Sequence, residues 1–241
     1  MKNLSSVIAL SALALSALAG NSLGAVIFSG SAGARAAEAS FAVNGSGQLV
    51  VTLTNTSTAD TLVPADILTA VFFDISGPAV SLSRDSAVLN VGSIVEYDAQ
   101  PAGGVVGGEW AYIGGLSNAP GNAKYGISST GINIFGPGDL FPGPDLAPPT
   151  SPDGPQYGIV TAGDDVNTGN GGITGSGGLI KNSVVFTLGG AGAGFDLSRI
   201  GNVLFFYGTA IGEVPPVLSP TPGTAALIGL AGITGFRRRR N

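Results

Sequence analysis

The chain has 241 residues, with 40 glycines and 15 prolines, and only 10% of it is charged. It contains no cysteine and no histidine, which excludes disulfides, thiolate chemistry, Ser-His-Asp or Cys-His catalysis, and the commonest zinc ligand. Lys and Arg number 10 against 15 Asp and Glu; setting aside Lys2 and the four terminal arginines leaves 5 against 15, a formal charge of −10, which argues against a nucleic-acid partner.

Residues 1–25 read as a secretory signal peptide. Lys2 gives a positive start, 4–18 is apolar with small serines, and Ala17-Leu18-Ala19 has the small-x-small form of a cleavage site. Ser22-Leu23-Gly24 is a second cleavage candidate. From 26 to 212 the pattern predicts an all-β domain. Strands at 39–43 and 48–54 flank Asn44-Gly45-Ser46-Gly47, where Asn-Gly is expected to supply the positive φ angles of a tight turn. Leu49, Val51 and Leu53 alternate with Val50, Thr52 and Thr54, the two-residue period of a sheet with one buried face. The segment 67–75, with Val71, Phe72 and Phe73 at its centre, is apolar on both faces and predicts a central strand. Further strands are expected at 87–89, 94–97, 109–113, 184–188 and 203–207. Short strands punctuated by Gly and Pro point to a β-sandwich, with the jelly roll as one form of it.

The stretch 114–180 is crowded with Gly, Pro, Asn and Asp, including Gly136-Pro137-Gly138-Asp139 and Pro142-Gly143-Pro144-Asp145. This composition predicts long loops with few buried apolar contacts over 114–178. One internal echo is present: Tyr125-Gly126-Ile127 and the four residues after it return, 32 residues on, as a segment beginning Tyr157-Gly158-Ile159. The two copies predict similar strand-and-turn units, with chance in a Gly-rich chain as the alternative.

Acidic residues are where chemistry would reside. Asp164, Asp165 and Asn167, with Asn170, offer oxygen ligands at close spacing in a Gly-rich turn, which is what Ca²⁺ accepts. The spacing departs from an EF-hand, with Gly169 at the fifth position and Ser176 at the twelfth, and Asp and Asn are also ordinary turn residues. The expectation is therefore a domain that folds without a cofactor, with calcium on Asp164, Asp165 and Asn167 as the alternative. Glu96, Asp98 and Glu109 near Trp110 are the only arrangement resembling a glycosidase acid pair, and Trp110 with Tyr112 could stack on sugar; packing in a core is the simpler account of both. The run Gly189-Gly190-Ala191-Gly192-Ala193-Gly194 does not spell a dinucleotide fingerprint and reads as a turn.

The last two dozen residues set a Pro-rich linker at 213–219 before Pro220, Thr221, Pro222 and Gly223, an apolar stretch at 224–236, and then Arg237, Arg238, Arg239 and Arg240. As a helix the apolar stretch would reach roughly 20 Å, short of the ~30 Å of a bilayer core. The arginines would be held on the cytoplasmic side. Such a segment stalls in a membrane and presents the motif on the outer side.

This tail, 220–241, resembles a PEP-CTERM sorting signal, with Thr221 where the usual motif has Glu. Residues 125–139, 151–154, 177–188 and 206–210 are similar to the body of one group of exosortase-dependent surface proteins. The resemblance implies an exported, non-enzymatic protein of the cell surface or extracellular matrix. Its partners would be an exosortase, the inner membrane transiently, and exopolysaccharide. A carbohydrate-binding module or weak glycan-active enzyme exported by the same route is the alternative.

Overall fold

A computed structural model describes residues 23–135, 145–146, 154–165, 167–171, 173 and 177–220. The described chain is all-β, with only single 3-10 turns between strands. In order the strands are β1 (Leu23–Ala32), β2 (Arg35–Val43), β3 (Leu49–Asn55), β4 (Leu68–Ile75), β5 (Ser83–Leu89), β6 (Ile94–Glu96) and β7 (Ala111–Gly114). There follow β8 (Tyr125–Ser128), β9 (Ile159–Val160), β10 (Leu179–Lys181), β11 (Ser183–Gly189), β12 (Ile200–Tyr207) and β13 (Val217–Leu218). The first sheet is five-stranded and antiparallel, in the order β1-β2-β3-β11-β5. The second is eight-stranded, running β13-β12-β4-β9-β10-β6 with β8 beside β4 and β7 beyond β8, and only β9 and β10 are parallel.

The alternation in the sequence is realised in the first sheet. Leu49, Val51 and Leu53 are buried beside Ala37, Ala39, Phe41 and Val43, with Phe41 opposite Val51. The β2–β3 turn differs from expectation in one respect: positive φ falls on Gly47 (74°), not on the Asn44-Gly45 pair. The Asn44 carboxamide oxygen instead accepts from the Ser46 and Gln48 amides, 3.0 Å each, so a side chain holds the turn. The sequence reading missed β1 altogether, and its first residues, 23–25, lie within the expected leader.

β4 is the predicted central strand. Leu68 to Phe73 are all buried, and the strand pairs with β12 on one side and with β8 and β9 on the other. One face, with Leu68, Val71 and Phe73, joins side chains of the first sheet in a single cluster that holds Phe41, Val51, Trp110, Phe186 and Phe205. The rings of Phe41 and Phe73 meet edge-on at 5.2 Å, and Trp110 tilts on Phe186 at 4.9 Å. The other face, with Ala70 and Phe72, is covered by Leu116, Ala119, Ala123, Ile132 and Phe135. A third, smaller cluster gathers Ile67, Val160, Ile173 and Leu179.

Residues 114–135 therefore depart from the expectation of few buried apolar contacts. Leu116, Ala119, Ala123, Ile132 and Phe135 are each at most 7% exposed. The physical reason is the sheet beneath: a strand apolar on both faces must have both faces covered, and small residues let irregular backbone lie flat on it. The echo has a role there. Both copies line up against β4, Ile127 opposite Val71 and Ile159 opposite Leu68. The stretch expected as a linker, 213–219, contributes β13: Val217 is buried opposite Phe205, and the Ser219 amide donates to the Val203 carbonyl at 3.0 Å.

Candidate functional site

The acidic residues meet where the loop after β3 faces the loop between β9 and β10. Asp164 is buried, 5% exposed, and its carboxylate accepts from the Thr61 amide at 2.6 Å. Its carbonyl accepts from Lys181 Nζ at 2.7 Å, and that ammonium also pairs with Glu96 at 3.7 Å. Asp165 and Asn167 are exposed and hold each other. Asp165 Oδ1 accepts from the Asn167 amide at 3.0 Å and from its Nδ2 at 2.9 Å, which keeps the Asp165 carboxyl below the usual range. Asp60 completes the corner, accepting from the Asp165 amide at 3.2 Å and from Thr168 Oγ1 at 3.4 Å.

The structure thus brings the three calcium candidates into one loop but sets them to different tasks. Asp164 ties its loop to Thr61, while Asp165 and Asn167 close a turn. Among the described residues no three acidic side chains are grouped to hold a metal ion. Asp164→Ala would leave the buried Thr61 amide without its acceptor, at about 1–3 kcal/mol. Urea denaturation of the variant is expected to show that loss equally in EDTA and in excess Ca²⁺; a loss appearing only with Ca²⁺ would make the loop a cation site.

The acids near Trp110 have partners of their own, and Asp98 and Glu109 both bear on the Tyr157 hydroxyl. Glu96 pairs with Lys181, and exposed Asp98 accepts from the Tyr157 hydroxyl at 2.9 Å. Burial, then that hydrogen bond and charge, push the Tyr157 hydroxyl up to about 12. Trp110 is wholly buried and Tyr112 is 5% exposed, so both pack in the core and neither offers a platform for sugar. A depression lined by Arg35, Asp60, Thr61 and Asp66 has its cation and one of its acids already paired, Arg35 with Asp66 at 3.0 Å.

One further loop acid, preceding the Asp164 turn in the sequence with Asp139 and Asp153, is set by burial. Asp145 bridges to Ala111 at the edge of β7, is 8% exposed, and its Oδ1 has no partner among the described residues. Burial pushes its carboxyl up to about 6, against the opposing pull of Arg84. The folded protein then binds this proton more tightly than the unfolded chain, so stability falls as pH rises from about 4 to about 6. Asp145→Asn is expected to remove that fall and raise the melting temperature at pH 7 while leaving it unchanged at pH 4. Melting curves across this pH range check it.

Of the sorting motif, Pro220 is described and exposed. Thr221, Pro222, Gly223 and Arg237, Arg238, Arg239 and Arg240 lie outside the described residues, as does the expected signal peptide through residue 22. Among the described residues no helix is long and apolar enough to cross a membrane. Comparison of the chain with protein families, with curated proteins and with solved structures gave no match.

Proposed function

We propose that the chain is a non-enzymatic exported protein. In this reading it is placed at the cell surface or in the extracellular matrix by an exosortase acting on Pro220, Thr221, Pro222 and Gly223. Its body is a β-sandwich, a form supported by the single apolar cluster that side chains of both sheets share. The observation that carries the proposal is the order of segments at the end of the chain. β13 and the Ser219 amide tie the chain to the domain, Pro220 is exposed directly beyond them, and the apolar stretch and arginines follow. A processing enzyme would meet the motif at the surface of a finished domain, with no long tether between.

Each arginine costs roughly 2.5–3.5 kcal/mol near a bilayer centre, so four of them resist passage. Pro220 and Pro222 keep the motif from joining a helix. Mass spectrometry of protein extracted from the cell surface is expected to find a C-terminus at or near 220–223. Substituting Arg237, Arg238, Arg239 and Arg240 by Ser is expected to lower the surface-retained fraction severalfold. A surface form that still ends in Arg240-Asn241 would make the tail an anchor and overturn the proposal.

A further inference from the structure

Sheet edges carry unpaired amides and carbonyls, and folded proteins protect them with charge, proline, shortness or a covering segment. Among the described residues, every sheet edge but one is protected in one or more of these ways. β5 presents exposed Arg84 and Asp85, and its outer side is bridged by Val105 and by the Val106 amide donating to Ala87. β6 has three residues and ends in Glu96. β7 is covered by Asp145 and by the Leu146 amide, which donates to the Trp110 carbonyl. β13 has two residues, set between Pro215-Pro216 and Pro220.

β1 has none of these devices. It is ten residues long, reads Leu-Gly-Ala-Val-Ile-Phe-Ser-Gly-Ser-Ala, and carries no charge and no proline. It pairs with β2 alone, and no other hydrogen bond reaches its backbone among the described residues. Phe28 anchors its inner face in the core, while Ala25, Ile27, Ser29 and Ser31 are exposed on the outer one. Ile27, at mid-strand, is 52% exposed. Gly30 lets β13 lie close beneath, since a Cβ there would sit 2.6 Å from the Leu218 carbonyl, and the Leu218 side chain is itself 65% exposed.

We infer that β1 is an interaction surface for a second copy of this chain. The two β1 strands would pair antiparallel about a two-fold axis, joining two five-stranded sheets into one. An antiparallel strand is complementary to its own copy, because both contribute the same residues and the same ladder. Charge selects the same place. The chain is acidic, with a net charge of −5, so copies repel over most of their surface, and β1 offers ten residues where they meet without opposing like charges. A contact of one strand from each copy belongs at the small end of specific interfaces, below ~1,200 Å², so the dimer is expected to be reversible, with a dissociation constant of about micromolar order.

The absence of cysteine makes a direct test available, because any cysteine introduced is unique. In the full-length chain, single variants Ala25→Cys, Ile27→Cys, Ser29→Cys and Ser31→Cys are oxidised under mild conditions beside Val91→Cys, a control at a 95% exposed position. At least one β1 variant is expected to form disulfide dimers tenfold faster than Val91→Cys, and the fastest position locates the two-fold axis. Sedimentation of the wild type is expected to show monomer and dimer exchanging in the micromolar range. Ile27→Lys is expected to weaken association at least tenfold while its melting curve, recorded on dilute monomer, stays that of the wild type. Equal oxidation rates at all positions, a wild type that stays monomeric far above the micromolar range, or an Ile27→Lys dimer as tight as the wild type would each overturn the assignment. The last result would place association elsewhere, the apolar tail included.

Discussion

Replacing Phe73 by alanine is expected to cost about 3–5 kcal/mol of unfolding free energy, a large share of what holds a domain together. Phe73 is fully buried on the β4 face shared by the two sheets. Its ring stacks on Tyr125 at 5.4 Å and 15° and meets Phe41 edge-on at 5.2 Å. Truncation removes both ring contacts and opens a cavity between two sheets whose backbones are fixed by their ladders and cannot close on it. Urea denaturation monitored by tryptophan emission is a suitable readout, because Trp110 lies in the same cluster. Phe72, one residue earlier, makes the informative comparison. It faces Phe135 and Phe206 beneath an irregular covering segment, which can settle into the space, so Phe72→Ala is expected to cost less. Equal losses would mean that the cover is as rigid as the sheet.

The second expected result concerns the echo. Gly158→Ala is expected to destabilise the domain by an amount in the upper part of the roughly 1–3 kcal/mol range for overpacking. A Cβ at Gly158 would lie 2.4 Å from Ile67 Cγ2 and 3.0 Å from the Pro155 carbonyl. Ile67 is β-branched and fully buried, so it has few rotamers with which to move aside. Gly126, at the matching place in the other copy, meets Phe72 in the same way, with a Cβ 2.8 Å from the ring. The repeat is thus two uses of one solution: a glycine in, or just before, a strand beside β4 leaves room for a large side chain of β4, or of the residue leading into it, to cross over it. Ordinary stability at Gly158→Ala, measured by the same denaturation, would make the repeat a coincidence of composition.

How much was legible follows from where period and burial agree. β2, β3 and β11 carry one buried face, and their alternation located them to within a few residues. β4 was legible as a continuous apolar run. β1 was not, because its outer face holds alanine and serine, its inner face is broken by Gly30, and its first residues merge with an apolar leader. β9, β10 and β13 are two or three residues long, too short for any period to register. The burial of 114–135 was not legible because its Gly, Pro, Asn and Asp content points to loops, whereas here the alanines between them, Ala119 and Ala123, cover Phe72. At the acidic loop the residue types were readable, but their partners were not. Thr61 lies 103 positions from Asp164, and no local pattern joins them.

The two neighbours of β3 illustrate how late this fold is completed. β2 precedes it by a few residues of chain, but β11, on the other side, begins more than 120 positions after β3 ends. β4 waits about as long, since its partner β12 lies near the end of the domain, and β13 closes that edge last. A chain delivered from its N-terminus can fold the β1–β2–β3 meander early, yet the first sheet is whole only when residue 189 has arrived and the second only at residue 218. Loop closure over such separations is slow, so the waiting time falls on a half-built sheet with β3 and β4 bare along one side. Any cell making this protein must shield those strands through most of its synthesis, and the step that brings the last residues of the domain also ends the need for that shielding.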